Sequence, residues 1–455
     1  MSDATRQRAL FEEGFEKPVV VEFSGEQRSS DGGAVLLGAV DRRIGLTSRL
    51  IQALEDRRDE RRIEHSVGEL FRQRVFAIAL GYSDQNDSAR IGSDPVLKML
   101  CGRSAGSPCS LASQPTLSRF EGSRSGRELA GLGRTLERFV IGRLKKCHPR
   151  ARRITIDLDS TEDPTHGQQP FSFFNGYYDS WCYLPMLGFL SVDDEPTQHL
   201  FHARLRPGTA RDSRGTPALL IRTVRNLRKA FKRARILVRL DAGFAYPQIF
   251  DVLDELGVDY VVGMPGNPKL AEAAAEHMRV VRTLAERFGG SLAWWGETRY
   301  QTRNWPRERR VTFKAEALVY AGREIKDNLR FHVTNLRAAP GKVWQLYSQR
   351  GDVENRIKEL HDGLEIDRTN CSSFLANQLR VLQSATAYVL YQELRLKVKD
   401  RQLARAQVTT LRERLFKLGA VITESVRRIV LSFPESYPWK AAWYGVARSL
   451  GAVVT

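Results

Sequence analysis

Three acidic residues lie where their carboxylates could together bind two divalent metal ions. Asp159 ends one strand-like segment, Asp241 follows another, and Glu354 lies in a polar segment much further along the chain. Two such ions can activate water and stabilise the leaving oxygen of an in-line displacement at a phosphodiester. These residue types therefore predict metal-dependent phosphodiester chemistry, provided that the fold brings the three carboxylates together.

The first acid belongs to a segment in which apolar and polar residues alternate. Residues 154–159 read Ile-Thr-Ile-Asp-Leu-Asp, and a period of two predicts a strand with Asp157 and Asp159 on the same face. Acids that follow strands also cap turns, and Asp157 is a further candidate metal ligand. We favour Asp159 because Ser160 and Thr161 follow it.

The second acid follows a continuous apolar run. Residues 236–240 predict a buried strand that ends at Asp241, with Gly243 in the turn. An acid at the carboxyl edge of a central strand points into the crevice where α/β sheets bind ligands. The alternative is an ordinary turn aspartate.

The third acid lies within a stripe of polar residues on a predicted helix over residues 342–361. Spacings of 3, 4, 4 and 3 place these residues on one helix face: Tyr347, Arg350, Glu354, Lys358 and His361. A solvated face is the alternative, but arginine before glutamate is the less favourable order for a helix ion pair. The pattern favours a carboxylate that binds metal between side chains that contact the DNA backbone.

Charge and composition limit the partners of the chain. Its 455 residues carry 71 Lys and Arg against 53 Asp and Glu, a formal net charge of +18, which suits a polyanion such as nucleic acid. No apolar run approaches the roughly 20 residues that a membrane span requires, and residues 1–16 lack the apolar core of a signal peptide. We expect a cytosolic protein without a membrane partner, whose five scattered cysteines are free thiols.

The hydrophobic patterns predict an α/β protein with a ribonuclease-H-like catalytic core, a β-rich insertion and helical flanks. The core prediction rests on three strands, a helix, a strand, a helix and a strand between residues 151 and 263. In the last region, apolar periodicity predicts helices over 375–394 and 411–431. The predicted regions are a helical DNA-binding or dimerisation region (1–150), the first part of the core (151–263), the β-rich insertion (264–340), the core helix carrying Glu354 (341–370) and a helical C-terminal region (371–455).

Two further groups of residues are candidates for DNA contact. The first lies at the end of a predicted basic helix: Arg228, Lys229, Lys232 and Arg233. Such runs are usually solvated, but the net charge and an expected position beside the acids favour phosphate contact. The second is Trp305, which we expect to be exposed because Pro306 and charged residues surround it. It could stack on unpaired bases, or belong to the insertion's own core.

Longer runs around the three acids resemble a known family. Residues 157–167, 178–189 and 349–360 resemble the IS1380 family of insertion-sequence transposases, in the IS4-like DDE group. Tyr347, Arg350 and Glu354 match the Y-R-E signature of that group in type and spacing. One position departs from it, because His361 stands where the group has a lysine seven residues after the glutamate. Lys358, one turn earlier, could substitute.

The resemblance implies a specific activity. A DDE transposase of this kind cleaves the ends of its own insertion sequence and joins the 3′-OH ends to target DNA by a cut-and-paste route. It implies Mg²⁺ or Mn²⁺, with two ions per active site, held by Asp159, Asp241 and Glu354. Its partners would be double-stranded DNA (terminal inverted repeats and target) and a second copy in a homodimer, at the bacterial nucleoid. The residues alone also allow a metal-dependent nuclease without strand transfer, or a domesticated, non-catalytic DNA-binding protein.

Overall fold

The computed structural model describes residues 8–11, 19–22 and 27–453. They divide into two compact units, one made of the residues up to 121 together with those from 386 onward, the other of residues 122–385. The five functional regions predicted from the sequence follow a different division and stay a prediction. The valine-rich run at residues 19–23 predicts a short strand, which is present over Val19–Glu22; Phe23 lies outside the described residues.

The first part of the chain is mainly helical. In order, its helices and strands are β1 (Arg8–Phe11), β2 (Val19–Glu22), β3 (Arg28–Ser29), α1 (Val35–Ile44), α2 (Leu46–Ile51), α3 (Val67–Ala79), α4 (Ser88–Ile91), α5 (Pro95–Cys101), α6 (Gln114–Gly122) and α7 (Gly126–Cys147). The long helix α7 begins with a capping box, in which Ser125 and Glu128 satisfy each other's backbone N–H groups, as sequences of this type do at helix starts.

The middle of the chain alternates strands and helices. In order these are β4 (Arg153–Ser160), β5 (Asp163–Pro164), β6 (Phe173–Asn175), β7 (Ser180–Tyr183), β8 (Met186–Val192), β9 (His199–Arg204), α8 (Thr216–Ala230), β10 (Arg235–Leu240), α9 (Pro247–Glu255) and β11 (Asp259–Met264). Helices α8 and α9 each begin with a proline in their first turn, where its missing N–H removes no helical hydrogen bond.

The remaining elements complete both units. In order these are α10 (Pro268–Phe288), β12 (Leu292–Tyr300), β13 (Arg309–Leu318), β14 (Lys326–Thr334), α11 (Pro340–Ser348), α12 (Gly351–Leu364), α13 (Phe374–Arg395), α14 (Arg401–Ala404), α15 (Val408–Leu411), β15 (Ala420–Glu424), β16 (Ile429–Ser432) and α16 (Lys440–Ser449). Within the described residues, none of the helices combines the length and the apolar character needed to cross a membrane.

An eight-stranded mixed sheet organises the unit formed by residues 122–385. Its strand order is β12-β13-β14-β11-β10-β4-β8-β9. Strand β10 runs parallel to β4 and β11, whereas β8, β9 and β14 run antiparallel to their neighbours. The mixed α/β prediction is therefore confirmed. Because the carboxyl ends of parallel strands meet at one edge of a sheet, the ends of β4 and β10 lie side by side.

Residues 264–340 contain one helix, α10, and three strands, β12–β14. Strand β14 pairs with β11, so the antiparallel strands β12–β14 extend the main sheet. Helix α10 covers them with an apolar cluster that includes Met278, Val281 and Ala315. Burial of these side chains anchors the helix to the sheet.

The other unit contains a three-stranded sheet in the order β16-β15-β3, which joins early and late parts of the chain. The helix expected over residues 411–431 is wrong beyond Phe416, where a short π-helical segment ends. Gly419 interrupts the helical pattern, and the β-branched residues Val421, Ile422 and Thr423 then form β15. Such residues favour strands, and a short apolar run does not distinguish the two structures by itself.

Candidate active site

Asp159 and Asp241 converge on one buried cation. Asp159 lies in β4 next to its last residue, and Asp241 directly follows β10. The Nη2 atom of Arg350 lies 2.9 Å from Asp159 Oδ2 and 3.3 Å from Asp241 Oδ2, and Arg350 is buried. The two parallel strands therefore bring their terminal acids within reach of a single guanidinium nitrogen.

The electrostatics of these groups show a concentration of negative charge. Burial raises the pKa of Asp159 to about 7; the charge of Arg350 opposes this rise, while Asp241 and Glu354 add to it. Burial also raises the pKa of Asp241, against the effect of Arg350, and the nearby charge of Asp212 adds to the rise. Four carboxylates thus influence one another here, and a cation placed among them is strongly favoured.

Asp157 has a different environment, although it shares a strand face with Asp159. It is fully buried, and its two carboxylate oxygens accept hydrogen bonds from Nε and Nη2 of Arg239 at 2.8 and 2.7 Å. The two residues are direct neighbours across β4 and β10. Because this bidentate pair occupies both oxygens, the geometry argues against Asp157 as a metal ligand, contrary to its inclusion among the candidates.

The predicted helix over residues 342–361 is interrupted at its centre. Helix α11 ends at Ser348 and α12 begins at Gly351. The backbone N–H of Arg350 donates to the carbonyl of Tyr347, and that of Val353 donates to the carbonyl of Arg350, which are the tighter i→i+3 bonds of a 3₁₀ turn. Arg350 therefore lies at the junction of two helices. Its side chain contacts Asp159 and Asp241 and is not part of an exposed polar stripe.

Glu354 and Lys358 remain accessible on α12. Both are exposed, and the charge of Glu354 acts on Asp159, whose pKa it raises. Lys358 makes no ion pair within the described part of the chain. Lys358 is therefore free to contact a phosphate, and Glu354 is free to bind a cation.

Tyr347 and His361 are engaged with protein groups. The Tyr347 ring lies 4.0 Å from the ring of His332, centroid to centroid. His361 places Nε2 at 2.9 Å from Thr161 Oγ1 and Nδ1 at 2.9 Å from Asp367 Oδ2. Both nitrogens of His361 are thus occupied, so it does not replace the missing lysine as a phosphate contact. It instead connects α12 to the segment that follows Asp159.

The structure adds residues that the sequence patterns did not indicate. Arg206 is buried, and its Nη2 donates to Asp212 Oδ1 at 2.9 Å and to Ser160 Oγ at 2.6 Å. A Cβ atom on Gly243 would lie 2.6 Å from Asp212 Oδ2, so Asp212 packs against the turn after Asp241. Asp212 belongs to the loop between β9 and α8, where no periodicity or motif could have identified it.

The basic residues at the end of α8 lie away from the acids. Arg228 and Lys229 are in the last turn of α8, and Lys232 and Arg233 immediately precede β10. Asp241 follows the opposite end of that six-residue strand, which is about 20 Å long at the usual rise per residue. The expected position beside the site is therefore wrong, although all four side chains are exposed.

Trp305 is also not where the sequence suggested. Only 5% of it is exposed, because its ring packs against Phe250 at 5.2 Å and Tyr300 at 5.8 Å, measured between centroids. The neighbouring Arg309 is buried and paired with Asp254 at 2.6 Å. The expectation of an exposed Trp305 is wrong. Its ring packs against other aromatic rings, and the nearby Arg309 is buried as well because an ion pair neutralises its charge.

The residues present fit the chemistry of a divalent ion. Carboxylate oxygens are the ligands that Mg²⁺ prefers, and Asp159, Asp241 and Glu354 supply them. In the described part of the chain, no three potential ligands lie close enough to share a metal as they stand, and Arg350 fills the space between the two aspartates. Its Nε is buried without a hydrogen-bond partner among the described residues, whereas its Nη2 donates to Asp241 Oδ2 at 3.3 Å.

One comparison with known proteins shows the family of the chain. No curated protein matches the chain in a sequence search. Among solved structures, the piggyBac transposase in the cryo-EM structure of its synaptic complex with hairpin DNA matches with a TM-score of 0.41 and 13% identity, covering 86% of this chain and 83% of that one. The model of the family described as Transposase DDE domain group 1 matches residues 11–454. A match over nearly the whole length shows that the chain belongs to this family of DDE transposases.

Proposed function

We propose that the chain is a transposase of the IS1380 family that cleaves the ends of its own insertion sequence and joins the 3′-OH ends to target DNA. The observation that carries this proposal is the convergence of Asp159 and Asp241 on one buried cation, with Glu354 in electrostatic reach. Membership in the transposase DDE family supports the same class of chemistry.

The core that positions these acids is proposed to be ribonuclease-H-like. Five strands support this, since β4, β8, β9, β10 and β11 lie in the order β9-β8-β4-β10-β11 within the large sheet. Strand β8 is antiparallel to both β9 and β4, and β10 and β11 continue in parallel from β4. Residues 264–340 would then be the insertion between the last core strand and the helix that carries Glu354.

We propose that Asp159, Asp241 and Glu354 hold two Mg²⁺ or Mn²⁺ ions. When bound, these ions would activate the attacking water and stabilise the leaving 3′ oxygen. Arg350 keeps the two aspartates together, and the Asp157–Arg239 pair fixes β4 against β10 beneath them. Lys358, exposed one turn beyond Glu354, would contact a phosphate of the DNA end. Both terminal repeats and target DNA are proposed substrates, bound by a homodimer, because two ends must be paired.

The test uses purified protein, Mg²⁺ and DNA that carries the sequences flanking its own gene. Wild type is compared with Asp241→Asn and with the matched control Asp259→Asn, since Asp259 begins β11 at the opposite edge of the sheet. Cut 3′ ends and joined products are mapped on a sequencing gel. We expect both in the wild type and in Asp259→Asn, and neither in Asp241→Asn.

Each other outcome assigns a different function. Cutting without joining would identify a metal-dependent nuclease. Binding with neither reaction, with Mn²⁺ and both DNA ends also supplied, would identify a DNA-binding protein that has lost the chemistry. Equal activity in Asp241→Asn and the wild type would show that Asp241 is not an active-site residue.

A further inference from the structure

A small sheet next to the candidate active site exposes large aromatic side chains. This sheet consists of β5, β7 and β6, which lie between β4 and β8 in the sequence. Three residues make up what we call the aromatic face: Phe174, Tyr177 and Trp181, which are 49%, 88% and 60% exposed. Phe174 and Trp181 are direct neighbours across β6 and β7, with ring centroids 6.4 Å apart. Large apolar groups gathered on a surface usually mark a binding site.

The aromatic face is attached to the segment that follows Asp159. Strand β5 begins four residues after Asp159 and pairs with β7. The hydroxyl of Ser180, next to Trp181, donates to the carboxylate of Glu162. Tyr178, in the turn beside Tyr177, lies close enough for the charge of Asp159 to raise its pKa, after the larger effects of burial and the neighbouring Tyr177. The small sheet therefore follows Asp159 closely in the chain, and Tyr178 in its turn lies within electrostatic reach of that acid.

A cavity lined by arginines lies against the same sheet. The loop after β9 supports the sheet, because Asn175 Nδ2 donates to the carbonyl of Gly208 at 2.9 Å. The loop also lines a cavity of about 490 Å³. Phe374 lines the cavity too, and its ring packs on Tyr183 of β7 at 5.5 Å. The loop after β9 and Phe374 thus contact both the cavity and the small sheet.

Three arginines of this cavity lack counter-charges. Arg134, Arg204 and Arg214 line it, and none of them makes an ion pair with the residues that the structure describes. By contrast, Arg222 in the same wall is paired with Glu137 at 2.8 Å. We call these three residues the free arginines. Unpaired cations in a concave site favour an anionic ligand.

We propose that the aromatic face and the free arginines bind an unpaired DNA strand that leads to Asp159. Bases would stack on Phe174, Tyr177 and Trp181, while phosphates contact the free arginines. This combination of stacking platforms and a basic groove is how proteins bind single strands without sequence preference. Duplex DNA does not expose its base faces, so the surface selects unpaired nucleotides. The proposal rests on the proposed function, since it places this strand at the end being cut or joined.

The test measures binding without catalysis. A duplex with an unpaired single-stranded overhang carries 2-aminopurine in the overhang, and a blunt duplex is the reference, both in EDTA. Anisotropy gives the affinity, and quenching of 2-aminopurine reports stacking. We expect the wild type to prefer the overhang and to quench the probe. Trp181→Ala should bind the overhang about tenfold more weakly, as the removal of one stacking partner predicts, with blunt-duplex affinity unchanged.

Matched variants separate this site from general effects. Trp294→Ala removes a tryptophan of β12 that is 49% exposed, against 60% for Trp181, and this variant should bind the overhang as the wild type does. Tyr177→Ser, at the most exposed position, tests the aromatic face if Trp181→Ala does not fold. Arg204→Gln combined with Arg214→Gln should weaken overhang binding and reduce its salt dependence.

The outcomes distinguish this proposal from the proposed function. A wild type without preference for the overhang, or a Trp181→Ala variant that binds and quenches like the wild type, would overturn the strand site even if the protein cuts and joins DNA. Conversely, a protein that fails to cut DNA but shows weaker overhang binding in Trp181→Ala would retain the strand site without the proposed function. If Trp181→Ala lowered the affinity for the overhang and for the blunt duplex equally, the strand site would also be overturned, because stacking on unpaired bases would not be involved.

Discussion

Asp157 and Asp159 lie on the same face of one strand, two residues apart, yet their partners differ. Asp157 is held by a bidentate arginine that belongs to the neighbouring strand. Asp159 shares its arginine with Asp241 and lies within electrostatic reach of the exposed Glu354. The alternating pattern could place both acids on one face, but it could not show which of them has an arginine directly opposite it. That information depends on the register between β4 and β10.

This difference predicts opposite results for two identical substitutions. Asp157→Asn leaves the buried Arg239 without its counter-charge, which should lower the free energy of unfolding by about 3–5 kcal/mol. Asp159→Asn should leave stability unchanged or raise it at pH 8, because the carboxylate whose pKa is about 7 is costly to ionise there. Asp159→Asn should also abolish DNA cleavage. Urea unfolding and the cleavage assay check both, and equal destabilisation by the two variants would contradict the assignment.

A buried histidine predicts acid sensitivity. Burial lowers the pKa of His199 to about 4, and the charge of His148 adds to this. A histidine whose pKa is depressed on folding contributes stability that is complete above its unfolded pKa, near 6.5, and disappears as the pH falls toward 4. Between pH 7 and pH 5 the decrease should be about 2 kcal/mol. Urea unfolding at both pH values should show a smaller difference in His199→Gln than in the wild type, and an unchanged difference would be evidence against this origin.

At the scale of elements, the sequence patterns located the strands that carry the acids. The apolar run before Asp241 is a direct consequence of burial in a sheet. The period of two in residues 154–159 arises because buried polar residues alternate with buried apolar ones in β4. Glu354 was found through its helical spacing and motif. The break between α11 and α12 was not predicted, because Gln349 and Arg350 keep helical dihedrals and only the hydrogen bonds around them tighten. Strands β15 and β16 were missed because their short apolar runs fit either periodicity.

A close approach of elements at the site predicts the effect of one added methyl group. A Cβ atom on Gly263, in β11, would lie 2.9 Å from the backbone nitrogen of Ala242 and 2.9 Å from Tyr347 Oη. Gly263→Ala should therefore shift the turn that carries Asp241, lower stability by about 1–3 kcal/mol and reduce cleavage. Gly142→Ala, on α7 with open space around it, is the control and should gain about 0.5–1 kcal/mol. Full cleavage by Gly263→Ala would show that the turn tolerates the shift.

At the scale of the whole molecule, part of the positive charge lies far from the acids. The net charge of +18 includes the exposed group at the end of α8, which lies at the opposite edge of the sheet from Asp241. The sequence patterns correctly indicate that these residues are exposed, but they place them wrongly beside the acids. The last turn of α8 leads into the first residue of β10, whereas Asp241 follows the last residue of that strand. The composition of the chain indicates a polyanionic partner. Only the topology shows at which edge of the sheet a given basic residue lies.

This position predicts that affinity and catalysis can be separated. Replacing Arg228, Lys229, Lys232 and Arg233 by glutamine should weaken binding to all DNA sequences and reduce the salt slope by about 0.9 for each phosphate that these side chains neutralise. Cleavage at saturating DNA should stay at the wild-type rate. Arg279→Gln with Arg282→Gln, two exposed cations already paired with acids, is the control. A reduced rate at saturation would instead connect this surface to the active site.

The pairing of β3 with β15 has a consequence for how the protein is made. Ser29 and Ala420 are partners in one sheet, and 420 − 29 = 391 residues must be added after Ser29 before Ala420 is in place. At roughly 5–20 residues per second, translation needs about 20–80 s to deliver the partner strand. All eight strands of the catalytic sheet emerge earlier, within residues 153–334. In a nascent chain, β3 therefore lacks its partner strand while the eight-stranded sheet can already assemble. A chain that is released before residue 420 cannot form the β16-β15-β3 sheet.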